Sequence, residues 1–230
     1  MRIIICCICI LMPLNASSFE LSPMVAFFSE YGNGSEKIFQ IKNTANHSLP
    51  VEITVKKRAV KNDENEVLTE SGDFFVFPPQ VLIPMGETQM IKVKYIGSSS
   101  DVTKSYRIIF SQLPIGNESD RSNIKVLFRM GALVFVSPEN VEKSINTKVF
   151  YNNGKPTDLL IENSGTDVIT LSDLVFDVQT SKNTYKWKWE AIKHLLPLQF
   201  LVPGQFVKVP LGSLLSSEED KLLINVKGLR

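Results

Sequence analysis

Few side chains of this 230-residue sequence have the types and spacing that enzyme chemistry requires. The only two histidines, His47 and His194, stand far apart in polar segments. No HExxH or GxSxG motif occurs, and no pair of His or Cys residues has metal-ligand spacing. We therefore expect no catalytic residue, no cofactor and no enzyme activity.

The acidic side chains form two clusters that a metal ion might be expected to use. These clusters are Asp63, Glu64 and Glu66, and then Glu218, Glu219 and Asp220. Neither cluster has the spacing of ligands found in a calcium-binding loop. We interpret both as solvated loops and predict no metal site.

Trp187 and Trp189 alternate with lysines in the segment YKWKWE. Two indoles on one face could stack on a sugar ring. The pattern is also that of an amphipathic strand that buries both indoles and leaves Lys186 and Lys188 in solvent. We favour the buried strand and keep a glycan-binding sandwich as an alternative.

The first eighteen residues, MRIIICCICILMPLNASS, have the pattern of a cleavable signal peptide. Arg2 precedes an apolar stretch, and the small residues Ala16 and Ser18 precede Phe19. The apolar stretch is shorter than the roughly 20 residues that span a bilayer. All three cysteines lie in this stretch, so the mature chain has no disulfide, which fits export to a bacterial periplasm.

The charges of the mature chain balance. The full sequence has 25 basic and 24 acidic residues, and Arg2 is removed with the signal peptide. Nothing in this balance points to nucleic acid or to an anionic membrane surface. No later segment is long and apolar enough for membrane insertion.

Short runs of β-branched and aromatic residues, separated by turn residues, recur along the mature chain and predict an all-β fold. Alternation is clear within residues 50–60, at Val51, Ile53 and Val55, and within residues 88–96, at Ile91, Val93 and Tyr95. The pattern restarts after residue 138. We predict two β-sandwich domains, residues 19–138 and 139–230, after a signal peptide of residues 1–18.

One run, SNIKVLFRMGALVFV at residues 122–136, is longer than its own core can cover. From Ile124 it would extend roughly 40 Å as a strand. Ile124, Val126, Phe128 and Met130 share one face. This stripe is either ordinary core or a surface offered to the sheet of another protein.

Several segments in this order resemble the periplasmic pilus-assembly chaperones of the chaperone–usher systems. They are VLIPMGETQMIKV at residues 81–93, SYRIIF at 105–110 followed by LPI, the run at 122–136 followed by SP, and LP and LVPG at 196–204. The resemblance covers nearly the whole mature chain.

The resemblance implies two immunoglobulin-like domains arranged like a boomerang. Such chaperones insert their seventh strand, here about residues 123–136, into the incomplete sandwich of a pilin subunit by donor strand complementation. They then deliver the subunit to an outer-membrane usher, without nucleotide or cofactor. On this basis Ile124, Val126 and Phe128, with Met130, are the donated side chains.

The sequence departs from the family at the anchor of the subunit's C-terminal carboxylate. Better-known members use an arginine in the first strand and a lysine in the seventh. Here the first strand, FELSPMVAFF, has no basic residue, and the lysine position falls near Leu133. We expect Arg107, with Arg129 or Lys125, to bind the carboxylate, since a guanidinium can contact both its oxygens.

Two points stay open in the sequence. The chain could be an adhesive surface module or a pilus subunit instead of a chaperone, although a subunit would normally be one domain. A free chaperone with an exposed apolar edge could also associate with itself.

Overall fold

The structure is a computed structural model that describes residues 19–60, 66–114, 126–196, 198–215 and 221–229. Almost all regular elements in these ranges are strands, and the one α-helix, α1 (Trp189–Ile192), is a single turn. No helix among the described residues has the length and apolar character needed to cross a membrane. The predicted all-β class is confirmed.

Ten strands form the first half of the chain. They are β1 (Phe19–Ser22), β2 (Val25–Ser29), β3 (Glu36–Asn43), β4 (Leu49–Ala59), β5 (Val67–Glu70), β6 (Phe74–Phe77), β7 (Gln80–Ile83), β8 (Thr88–Tyr95), β9 (Lys104–Gln112) and β10 (Arg129–Ser137). A 3₁₀ turn, Gly32–Ser35, precedes β3.

These strands form two sheets that pack face to face. One sheet has the order β1-β3-β8-β6, and the other has the order β2-β10-β9-β4-β5 with β7 also paired to β4. Alternate side chains of both sheets fill a core that includes the fully buried Phe39, Ile91, Tyr106 and Phe110. The period-two patterns of the sequence therefore correspond to real inward and outward faces.

The chain changes sheets close to its described start. Residues 19–28 read as one strand in the sequence, but β1 pairs with β3 in one sheet and β2 pairs with β10 in the other. Pro23 and Met24 lie at the crossing between them. Because proline has no backbone N–H, it is suited to a position where strand pairing is interrupted.

The predicted long strand is shorter than expected. β10 begins at Arg129 and ends at Ser137, while residues 126–128 are described and are not strand. Residues 122–125 lie outside the described residues. The neighbouring strands explain why β10 starts only at Arg129. On one side β9 ends at Gln112, and on the other side β2 pairs with β10 only from Leu133 onward. Beyond its neighbours, an extended segment has too few hydrogen bonds to form a strand by itself.

Eight strands and three short helical turns form the second half. They are β11 (Ile145–Asn152), β12 (Lys155–Asn163), β13 (Ile169–Thr170), β14 (Val175–Gln179), β15 (Thr184–Lys188), β16 (Phe200–Leu201), β17 (Phe206–Pro210) and β18 (Leu223–Lys227), with α1 and the 3₁₀ turns Leu171–Asp173 and Lys193–Leu195. The sheets have the orders β11-β12-β17, β13-β16 and β15-β14-β18.

This half has its own apolar core, which contains Leu159, Ile161, Phe176 and Val207. Trp187 on β15 belongs to that core and is 4% exposed, so it cannot offer its face to a sugar. Trp189 does not continue the strand as predicted but begins α1, where it is half-buried against the same core.

A polar network joins the two halves. The hydroxyls of Thr103 and Ser137 both donate to Oδ1 of Asp167, at 2.6 and 2.8 Å. The backbone N–H of Thr103 also donates to the oxygen of Thr166 at 2.8 Å. Asp167 and Thr103 are buried, so each hydrogen bond replaces one that water would otherwise supply.

Candidate functional site

The clearest functional feature is an open edge on the first part of β10. On one side β10 pairs with β9 from Arg129 to Val136. On the other side it pairs with β2, in parallel, only from Leu133 onward. No strand in the described ranges pairs with residues 129–132 on that second side, and an unpaired strand edge is where another chain can add a strand.

The hydrogen-bond pattern shows which groups face the opening. The N–H of Gln112 donates to the oxygen of Phe128, and the N–H of Leu133 donates to the oxygen of Met24. In an antiparallel pair the bonding direction alternates from residue to residue. The backbone N–H and C=O groups of Arg129 and Gly131 therefore point to the open side.

The predicted apolar stripe lies only partly in this region. Phe128 and Met130 are half-buried against the core of the first half, in line with the buried Ala132. Val126 is 66% exposed. Ile124 lies outside the described residues. The side chain of Val126 is thus exposed to solvent, and the next two side chains of the stripe, Phe128 and Met130, are partly covered.

The opposite face of β10 contains a charged depression. Its volume is about 310 Å³, and its lining comprises Glu66, Leu68, Arg107, Ile109, Arg129 and Gly131. Two of the three predicted anchor residues, Arg107 and Arg129, therefore lie together. Arg129 is exposed and forms no ion pair with any residue that the structure describes. Lys125, the third, lies outside the described residues.

Gly131 allows Arg107 to reach the open edge. A Cβ atom at Gly131 would lie 3.7 Å from Cδ of Arg107, so the arginine passes directly over the glycine. Its Nη1 donates to the oxygen of Gly131 at 3.3 Å. That oxygen faces the open side of β10. The guanidinium of Arg107 therefore lies beside the position that an added strand would take.

Glu66 already contacts Arg107. Nε and Nη2 of Arg107 donate to Oε2 of Glu66 at 3.1 and 3.0 Å. Arg58 donates to the same oxygen through Nε at 2.6 Å. Burial disfavours the charged carboxylate, but the hydrogen bonds and charges of both arginines outweigh burial and hold the pKa of Glu66 below its usual value.

Sequence reasoning missed this role of Glu66 and did not consider Arg58. Glu66 was predicted to be part of a solvated acidic loop, but its carboxylate is paired with two arginines. Asp63 and Glu64 lie outside the described residues. The sequence carries no local signal for the pair, because Glu66 and Arg107 are brought together only by the registers of β4 with β5 and with β9.

Leu133, near which the resemblance predicts the family's anchoring lysine, is buried among apolar side chains. Leu133 lies opposite Val25 in the β2–β10 pair. Leu133 packs in a small cluster with Phe135 and Val168, and Val25, Phe200 and Val202 border it. Residues of the second half thus cover this part of β10, and no basic side chain belongs to the cluster.

The remaining candidates for chemistry show no arrangement for it. His47 and His194 are both exposed. Within the described residues, no three His, Cys, Asp or Glu side chains are grouped so that they could hold a metal ion.

The family of the chain follows from its first half. Residues 29–142 match the family model described as pili and flagellar-assembly chaperone, PapD N-terminal domain. By this domain, the chain belongs to the pilus-assembly chaperones. The family is non-enzymatic, so the expectation that the protein is not an enzyme is confirmed.

Solved structures with the same fold as this chaperone include three fimbrial chaperones. One, in a chaperone–tip adhesin complex of CFA/I fimbriae biogenesis, is 16% identical with a TM-score of 0.60, covering 93% of this chain and 100% of that one. The class 5 fimbriae chaperone CfaA is 18% identical with a TM-score of 0.59, covering 91% and 98%.

The third is from the CsuC–CsuE chaperone–tip adhesion subunit pre-assembly complex of archaic Csu pili of Acinetobacter baumannii. It is 16% identical with a TM-score of 0.58, covering 91% and 98% of the two chains. A search of curated protein sequences found no match. The similar structures extend over both halves of this chaperone, and the predicted pair of immunoglobulin-like domains is confirmed.

Proposed function

We propose that this chaperone binds pilus subunits by adding the start of β10 to their incomplete sheet. The observation that carries the proposal is the open edge at residues 129–132, where β10 has one neighbour instead of two. Strand addition satisfies such an edge with main-chain hydrogen bonds, which contribute affinity. Two of the similar structures are described as complexes of a chaperone with a tip subunit, which supports a subunit as the partner.

The apolar stripe supplies the side chains for this contact. Val126 is exposed, and Phe128 and Met130 are only partly covered. Burial of each such side chain is worth roughly 1.5–3 kcal/mol. We place Ile124 in the same stripe on the sequence pattern alone.

Arg107 is our candidate for the anchor of the subunit's terminal carboxylate, with Arg129 or Lys125 as the second cation. Arg107 is held at the open edge by its bond to the oxygen of Gly131. Arg129 lies in the same depression. A strand that pairs with this edge and ends there would place its carboxylate within reach of both guanidinium groups.

The wider setting of the proposal is supported by the family to which the chain belongs. The chaperone acts in the periplasm after removal of residues 1–18, and residues 19–138 and 139–230 are its two domains. It delivers subunits to an outer-membrane usher without a cofactor. In the absence of a subunit, the open edge can pair with a second copy of the chaperone.

The first test is recovery of the tagged mature chaperone from its native periplasm, with mass-spectrometric identification of co-purifying proteins. Val126→Arg places a charge in the stripe and should abolish capture of a small secreted subunit that wild type holds in about a 1:1 ratio. The matched control is Leu82→Arg on β7, because Leu82 is also 66% exposed. Equal capture by wild type and Val126→Arg would contradict strand addition.

The same recovery tests the anchor. Arg107→Ala should reduce subunit capture about tenfold, since a hydrogen bond to a charged group is worth about 1.5–3 kcal/mol. Lys94→Ala, an exposed cation on the other sheet, is the control. Unchanged capture by Arg107→Ala would remove Arg107 from the anchor and leave strand addition standing. Glycan binding by the chaperone, with no protein partner recovered, would favour the adhesive alternative.

A further inference from the structure

Arg107 in the depression and Arg58 beside it form a carboxylate site that Glu66 already fills. Oε2 of Glu66 accepts from Nη2 and Nε of Arg107 and from Nε of Arg58. Oε1 of Glu66 lies 3.2 Å from Nε of Arg107. One carboxylate thus accepts hydrogen bonds from two guanidinium groups, and such charge-assisted bonds are stronger than those between neutral groups.

Both arginines are held in place by contacts other than Glu66. Nη1 of Arg58 donates to the hydroxyl of Ser105 at 3.2 Å. Arg107 donates to the oxygen of Gly131 and passes over that glycine. The side chains of Arg58 and Arg107 are 11% and 26% exposed. The site would therefore keep its shape if the carboxylate of Glu66 were exchanged for another.

We propose that Glu66 occupies, in the free chaperone, the position that the terminal carboxylate of a subunit takes in the complex. The inference rests on the proposed function, in which Arg107 is the anchor, and it adds Arg58 as a cation that contacts the carboxylate beside Arg129 or Lys125. It makes Glu66 a specificity-determining residue, because a carboxylate has to displace Glu66 before it can bind.

Displacement discriminates between ligands. Glu66 is part of the same chain, so its effective concentration at the arginines is high. A free carboxylate, or an acidic side chain of a passing protein, competes poorly with it. A subunit strand gains main-chain bonds along residues 129–132 at the same time, and these offset the loss of the Glu66 contact. The exchange also keeps one negative charge beside the arginines throughout.

The test uses acetate as a probe of the free mature chaperone, with the arginine Nε–H signals of Arg107 and Arg58 followed by NMR. In Glu66→Gln, acetate should shift these signals with a dissociation constant roughly two- to fivefold lower than in wild type. Glu70→Gln is the matched control, because Glu70 ends β5, which Glu66 immediately precedes, and it pairs with Lys56 outside the depression. It should behave as wild type.

Each outcome decides the inference. Equal acetate affinities of Glu66→Gln and wild type would overturn it, and so would tighter binding that persists in the double variant Glu66→Gln/Arg107→Ala. Glu66→Ala is measured in parallel, so that one variant that fails to fold does not decide the result. Acetate binding involves no subunit, so equal acetate affinities would overturn the role of Glu66 and leave the anchor standing. Failure of Arg107→Ala to reduce subunit capture would remove the anchor itself, and the inference with it.

Discussion

Val25 lies directly opposite Leu133, at the first position where β2 pairs with β10. Before this position the edge of β10 is open, and from it onward the edge is covered. The sequence resemblance predicts the family's anchoring lysine near Leu133. Both side chains of the pair are apolar and lie in a cluster with residues of the second half, which agrees with our proposal that Arg107 supplies the anchor instead.

Leu133→Lys should destabilise the chaperone and should not improve subunit capture. Leu133 is only 9% exposed among apolar neighbours, so the ammonium group would lose hydration without gaining a partner. We expect a loss of about 1–3 kcal/mol in the free energy of unfolding, measured with urea. Leu82→Lys, at an exposed position, should stay within about 0.5 kcal/mol of wild type. Full stability of Leu133→Lys would show that the apolar cluster does not need Leu133.

The contact between Arg107 and Gly131 predicts a difference between two substitutions of the glycine. A Cβ at Gly131 meets Arg107 at ordinary contact distance, so Gly131→Ala should keep wild-type capture. The branched side chain of Gly131→Val would push the guanidinium away from the Gly131 oxygen and should reduce capture several-fold, an effect on the order of 1 kcal/mol. Both variants are compared by the amount of subunit recovered with the tagged chaperone. Equal recovery would mean that the position of Arg107 over Gly131 is unimportant for binding.

Asp167→Ala should uncouple the two halves of the chaperone. It removes the acceptor shared by the hydroxyls of Thr103 and Ser137 and leaves them only their contact with each other at 2.9 Å, at a cost of about 1–3 kcal/mol. Both tryptophans lie in the second half, so their fluorescence reports its unfolding, while circular dichroism reports both halves. We expect the two urea transitions to separate in Asp167→Ala but not in Asp101→Ala, an exposed control. Coincident transitions in both variants would contradict a coupling role for Asp167.

Glu66 predicts a pH dependence of stability with a defined sign. Its pKa is lowered in the folded state, so its ion pairs with the arginines contribute stability above the usual value of 4.5. That contribution is lost as the pH falls through the lowered pKa. Wild type and Glu70→Gln should therefore lose more stability between neutral and acid pH than Glu66→Gln, as measured by thermal unfolding. Parallel profiles for all three proteins would exclude a stabilising role of the ionised Glu66.

Part of the fold could be predicted from the sequence, because the alternation of apolar and polar residues along a strand shows which side chains face the core. The stripe of Phe128 and Met130 was found in this way, and so was the amphipathic strand that contains Trp187. The start of β10 could not be predicted, since it depends on where two neighbouring strands end.

The partner of Arg107 also could not be predicted. Arg107 and Glu66 are 41 positions apart, and no local pattern encodes their contact. It results from the register of three strands. Sequence reasoning could identify Arg107 as a cation beside the stripe, but only the assembled sheet shows that its charge is already neutralised.

The change of sheets at Pro23 and Met24 also sets a limit on length. Met24 accepts from the N–H of Leu133, so a strand added along the open edge has to stop before that bond. Under the proposed strand addition, an incoming chain is therefore aligned by its end, whatever its side chains are. One chaperone can in this way hold different subunits in the same alignment, provided that each ends at the same distance from its apolar residues.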